Sequence, residues 1–217
     1  LEKREFLPIT LYFDNDIPGP SDRRVTQTAI SYRETFEAYY RKKQAFLDFI
    51  NNAQGYSDEE RFTASERYES IFERELRQEF ENLQALSADL LDMLKKGSTV
   101  EITIEGFCSP LGSIEYNLSL SKRRIDCIVN HFLRYDGGKL MLYYRNKKLI
   151  FNRVSNGEGK ANPRAREVLG SDDRRNRQKG IFDIYATLER RVVITKLTIN
   201  GETLTSLNYN LNKKTTK

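Results

Sequence analysis

Apolar positions recur along this chain with two periods, and the changes from one to the other mark its elements. Residues 8–13 (PITLYF) are apolar and β-prone and predict a short strand. Asp14-Asn15-Asp16 and Pro18-Gly19-Pro20 end it, because proline cannot continue a ladder and Asx and glycine favour turns. From Tyr32 the period is helical: Tyr32, Phe36, Tyr39, Phe46 and Ile50 form one apolar stripe, broken over residues 51–56 with Gly55 as a stop. Ser57 and Glu60 make a capping-box pattern that opens a second, long helix. Along it Phe72, Leu76, Phe80, Leu83, Leu86, Leu90 and Leu94 step by three or four, and Lys95-Lys96-Gly97 is a helix end. Two antiparallel helices, the second packed on a sheet, explain this stripe; a coiled-coil arm is the other reading.

Beyond Gly97 the two periods alternate. Residues 100–107 (VEITIEGF) predict a half-buried strand, Ser109-Pro110-Leu111-Gly112 a turn, and residues 113–134 a helix with Leu118, Ile125, Val129 and Phe132 on its core side. Gly137-Gly138 breaks the chain. Residues 139–145 and 148–154 read as two strands joined at Asn146-Lys147, and 155–180 as a long surface loop. A short helix at 181–188, a last strand at 191–199 and a polar tail that frays or adds an edge strand complete the order. The expected fold class is α/β: one domain, a two-layer sandwich with the order βα-β-α-β(β)-β, a mixed sheet and long helices on one face.

Composition narrows the chemistry. The chain has 217 residues, 36 basic and 31 acidic, for a net charge of +5, with 12 Tyr and 12 Phe. That is a globular chain with a mixed surface, without the dense basic footprint of a nucleic-acid binder. No apolar run approaches the ~20 residues of a membrane span. Leu1 in place of Met reads as a processed chain or an excised domain, so a targeting signal is not legible. His131 is the only histidine, and Cys108 and Cys127 have no metal spacing, which leaves no metal site, no cofactor and no Ser-His-Asp or Cys-His set. The two cysteines read as buried free thiols in preference to a disulfide. Glu101 and Glu105 alternate on one strand face, an ordinary half-exposed pair, and the chain is expected to be non-enzymatic.

One stretch carries more. In residues 106–124, GFCSPLGSIEYNLSLSKRR, a strand and tight turn lead into a helix on which Asn117, Ser121 and Arg124 share a face. The strand end and helix would form a shallow polar cup, and Arg124 would point a planar fork into it. From the spacing alone an ordinary structural role, with Arg124 paired to a neighbouring acid and Asn117 capping the turn, is the favoured reading.

Gly106, Gly112, Tyr116-Asn117, Leu120-Ser121 and Arg124 resemble the signature of the OmpA-like domain family. Glu189-Arg190-Arg191-Val192 is similar to its closing strand and LYFDND to its first, so the resemblance covers about 9–16, 97–134 and 149–197. Residues 21–75 then stand as a helical insertion. The resemblance implies a periplasmic, outer-membrane-associated domain of a Gram-negative bacterium that anchors a membrane protein or lipoprotein to the cell wall. It would do so by gripping the diaminopimelate of peptidoglycan stem peptides. Arg124 sits where the family's carboxylate-binding arginine sits, Asn117 and Ser121 where residues line the pocket, and Arg190 after the closing asparagine position, here Glu189. Ser109 replaces the aspartate that meets the ammonium group, a loss of ~10 to 100-fold in affinity. Asp14 or Asp16, at the end of the first strand, is the expected replacement anion, Asp16 in preference because it lies nearer the loop. The alternative is a scaffold that has lost the wall ligand and docks an envelope protein through the Tyr-rich insertion (Tyr32, Tyr39, Tyr40).

Overall fold

The computed structural model describes residues 7–19, 22, 24–52, 57–167 and 180–204. Alternating apolar residues form four strands, β1 (Ile9–Tyr12), β2 (Val100–Phe107), β3 (Leu149–Gly157) and β4 (Arg191–Ile199), and a short β5 (Glu202–Leu204). They make one mixed sheet ordered β1–β4–β2–β3, with β5 folded back on β4. β4 is antiparallel to β1 and β2, placing Ile9 opposite Ile194 and Ile102 opposite Leu197. β2 is parallel to β3, with Ile102 opposite Phe151. A parallel pair needs a crossover, and α5 (Ile114–Arg145) supplies it. Along β2, Val100, Ile102 and Ile104 are fully buried while Glu101, Thr103 and Glu105 are half-buried, so one face of the sheet carries the core. Leu83, Leu86 and Leu90 of α4 (Arg77–Lys95) and Ile125, Ile128 and Phe132 of α5 pack there against Ile102, Ile104 and Ile194. Gly106 brings strand and helix into contact: a Cβ there would lie 2.7 Å from the Ser121 carbonyl oxygen.

The segment expected as an insertion forms α1 (Tyr32–Tyr40), α2 (Lys43–Asn52), α3 (Asp58–Ser70) and a π-helical stretch, Ile71–Leu76, that runs into α4. The expected capping box at Ser57 and Glu60 is present, and Ser31 with Glu34 makes a second one. These helices bury an aromatic core of their own, in which Tyr39, Phe46, Tyr68 and Phe72 are at most 2% exposed. Phe182 closes it, 4.8 Å from Phe46 and stacked on Phe49 at 4.2 Å. The start of α4 covers the sheet's β1 edge, where Glu79 accepts the Thr10 N–H at 3.3 Å.

Four expectations are corrected. Residues 139–145 are not a strand but the second arm of α5, entered through Asp136, Gly137 and Gly138 at φ 48°, 69° and 86°. Leu140 is buried and Leu142 is 61% exposed, while Tyr143 packs on the core, so burial returns after three residues. The single first helix is two, broken at Arg41–Lys42. Leu118 is 37% exposed and lies over Gly157, where a Cβ would sit 3.2 Å from its Cδ2, instead of facing the core. The loop expected over 155–180 contains the end of β3 and a short α6 (Pro163–Glu167), and its residues 168–179 lie outside the described residues. The short helix expected at 181–188 is α7 (Ile184–Glu189).

Candidate functional site

The candidate residues gather where β1, β2 and β4 meet the start of α5. β1 ends in Phe13-Asp14, whose Phe13 N–H donates to the Arg190 carbonyl at 2.8 Å and so ties the first strand to the last. Beyond it Asp16, at φ 54°, turns the chain towards α5. β2 ends at Phe107, and the Cys108 N–H donates to the Gly157 carbonyl at 2.7 Å. Ser113 caps α5, accepting the Tyr116 N–H.

Arg124 lies at the centre, fully buried. Its Nε donates to the Ile17 carbonyl at 3.0 Å, Nη1 to the Phe107 carbonyl at 2.9 Å and the Cys108 Sγ at 3.4 Å, and Nη2 to the Asp14 carbonyl at 3.2 Å. The Phe13 ring lies 5.4 Å from the guanidinium carbon. Burial lowers its pKa, with the Arg190 charge adding to the fall. The fork holds two chain segments, 14–17 and 107–108, to α5 through their own oxygens and sulfur.

Asn117 and Ser121 share the buried face with Arg124, and both tie α5 to the β3 end. Asn117 Nδ2 donates to Glu158 Oε2 at 2.5 Å and to the Gly112 carbonyl at 3.4 Å. Ser121 Oγ meets Ser155 Oγ at 2.5 Å and donates to the Leu118 carbonyl. Ser109 is buried at the β2 end, 4% exposed. Asp16 is exposed and accepts the Tyr116 hydroxyl at 3.2 Å, and its charge reaches both Arg124 and Cys108. Arg190 is 1% exposed; its Nη2 donates to the Ile181 carbonyl and Thr187 Oγ1, while Nε and Nη1 have no hydrogen-bond partner. Glu189 accepts from Arg191 at 2.9 Å and from the Asn162 N–H at 3.1 Å.

Three features were not read from sequence. Arg123 is as buried as Arg124 and donates to the Pro18, Asp22 and Val25 carbonyls, strapping the segment after β1 along α5. Asp14, with its side chain 8% exposed, pairs at 2.5 Å with Lys42 from the break between α1 and α2. The insertion thus supplies the counter-ion to the first strand's aspartate. Tyr39 is buried nearby without a hydroxyl partner, its pKa pushed up to about 12, chiefly by burial. The doubled arginine was the one signal for Arg123; nothing local marks Lys42.

Cys108 and Cys127 are free and buried, and burial raises both thiols well above the range of a reactive cysteine. Among the described residues no group of three or more His, Cys, Asp or Glu could hold a metal ion, and no helix is long and apolar enough to cross a membrane. Comparison of the chain with protein-family models, with curated proteins and with solved structures returns no match.

Proposed function

We propose that this chain is a non-catalytic OmpA-like domain of the periplasm that holds an outer-membrane protein or lipoprotein to peptidoglycan through its stem peptide. One observation carries the reading. The three stretches that resemble the family, far apart in sequence, meet at one junction: Arg124, in the second, donates to the Asp14 and Ile17 carbonyls of the first and to Phe107 and Cys108 of its own, and Arg190 of the third accepts the Phe13 N–H of the first. They meet where the end of β2 leads into α5, the stretch 106–124 expected to carry a ligand cup. In this reading Arg124 acts through the loops it positions, because its donors already hold carbonyls. Asp16 supplies the anion for the ammonium group of diaminopimelate in place of the aspartate that Ser109 replaces.

A second reading, a scaffold that has given up the wall ligand, is favoured by that same saturation of Arg124. Its docking surface would not be the tyrosine stripe, since Tyr32 and Tyr39 are at most 1% exposed. Co-sedimentation with diaminopimelate-type sacculi separates the two. The wild-type chain is expected to pellet, Asp16→Asn to weaken binding by ~10-fold or more, and Ser109→Asp to strengthen it. Pelleting by none of the three gives the chain to the scaffold reading. Arg124→Ala is a poor probe here, because it removes the group that holds the cup together.

A further inference from the structure

Two turns along α5 from Arg124, a groove follows the seam between α1 and α4. Its wider part, about 470 Å³, has one wall of Phe36, Tyr40 and Phe80, with Phe36 and Phe80 stacked at 4.1 Å, and a polar wall of Gln84 and the Arg77–Glu81 ion pair. It adjoins, through Gln84, a second cavity of about 370 Å³ walled by the start of α1 and by His131 of α5. Both volumes fall in the range of small-molecule sites. What distinguishes the second cavity is donors left over. His131 is 5% exposed and its Nε2 has no hydrogen-bond partner among the described residues. Arg33 is exposed, lies over the Phe80 ring at 5.6 Å, and makes no ion pair among the described residues. The other charges around it are used: Arg134 pairs with Glu34 and donates to the Ala29 carbonyl, Glu34 caps Ser31, and Asp136 pairs with Lys139. The imidazole is neutral at pH 7, held so by burial and by the Arg33 charge, and a neutral imidazole can present Nε2–H.

We propose that this seam binds an apolar carboxylate, its hydrocarbon or aryl part lying against Tyr40 and the outer surface of the stacked Phe36–Phe80 pair and its carboxylate at Arg33 and the His131 Nε2. A free cation and an unpartnered buried donor beside an aromatic trough are complementary to one ligand chemistry, an acid with an apolar tail. The acid can be a free aryl or acyl acid or the carboxyl end of a peptide with an apolar last residue. The site stands apart from the wall-binding reading and does not rest on it.

The test is calorimetric titration of the whole chain with 3-phenylpropionate, 3-phenylpropanamide and an acetylated dipeptide ending in phenylalanine, repeated on Arg33→Gln. The acids are expected to bind, and the amide to bind about 10-fold more weakly. Arg33→Gln should weaken the acids about 10-fold and leave the amide unchanged. The tighter of the two acids identifies the source. Equal binding of acid and amide, unchanged affinity in Arg33→Gln, or no binding of either acid overturns the proposal. So does a concentration-dependent dimer that Phe36→Asp abolishes in a chain that takes up no acid, which would give the trough to a second copy.

Discussion

Arg124 and Arg33 stand at two ends of the same helical layer and are used in opposite ways. Arg124 is buried, and every segment it touches contributes a backbone carbonyl or, in Cys108, also a thiol. Arg33 is exposed over Phe80, beside a histidine whose Nε2 is unpartnered. A buried guanidinium that has already collected oxygens is part of the scaffold, and moving it leaves those oxygens without partners. An exposed one beside unpartnered donors can accept a ligand at no such cost. The residue type that looked most like a ligand group in the sequence is therefore the one most committed to the fold.

The largest effect that could break this contrast is the loss of Arg124. Arg124→Ala leaves the Asp14, Ile17 and Phe107 carbonyls at a buried junction with no donor in the guanidinium's place. At ~1–3 kcal/mol for a stranded buried acceptor, with some rehydration, the expected loss is ~3–5 kcal/mol. For a chain of this size that is a fall in Tm of ~10 °C or more. Thermal unfolding of the variant beside wild type measures it. A shift below about 2 °C would return Arg124 to the role of a ligand group.

A smaller effect belongs to His131. Its pKa is lowered to about 4 by burial, with the Arg33 charge adding to the fall. Unfolded, the same group titrates near 6.5. Because the folded value is depressed, the unfolded chain takes up the proton first. The stability is complete above pH ~6.5 and is lost as pH falls towards ~4, amounting to about 2 kcal/mol between pH 7 and pH 5. Chemical denaturation of wild type and His131→Gln at those two pH values isolates it, since the carboxylates titrate in both. Equal slopes would mean that the imidazole is hydrated, and that the seam is not the dry, donor-rich place its geometry describes.

The contrast also explains which features could be read from the sequence. β2, β4 and the start of α5 alternate or repeat over enough residues to fix their period, and Gly97 and the Ser57–Glu60 capping box marked helix ends correctly. Residues 139–145 failed because seven residues rich in Leu and Tyr satisfy either period, and the left-handed turn at Asp136 decides which arm they join. The break at Arg41–Lys42 has no glycine or proline to announce it; there Lys42 turns to Asp14, 28 positions earlier. The sequence placed Asn117, Ser121 and Arg124 on one helical face, and they are on one face. Which way that face turns depends on Asp14, Ile17, Phe107 and Ser155, and no spacing within the helix encodes them. The seam went unread for the same reason: Arg33 and His131 are 98 positions apart in the numbering and meet only once α1 lies against α5.

The smallest expected effect sharpens the comparison most. Arg33→Gln removes a charge that is exposed and makes no ion pair among the described residues, so its only internal loss is the contact over Phe80. At an exposed site such a contact contributes ~0.5–1 kcal/mol, and the glutamine stem keeps part of it. Taking the cation away from the buried imidazole changes little at pH 7, where His131 is neutral, and acts only at lower pH, since Arg33 helps to keep His131 from protonating. The variant should therefore unfold within about 0.5 kcal/mol of wild type at pH 7, as surface substitutions generally do. The His131 dependence on pH should at the same time shrink, because the folded pKa rises towards its unfolded value. A loss of 2 kcal/mol or more in Arg33→Gln, comparable with a buried group, would mean that Arg33 is as structural as Arg124 and that the two ends of the helical layer do not differ in kind.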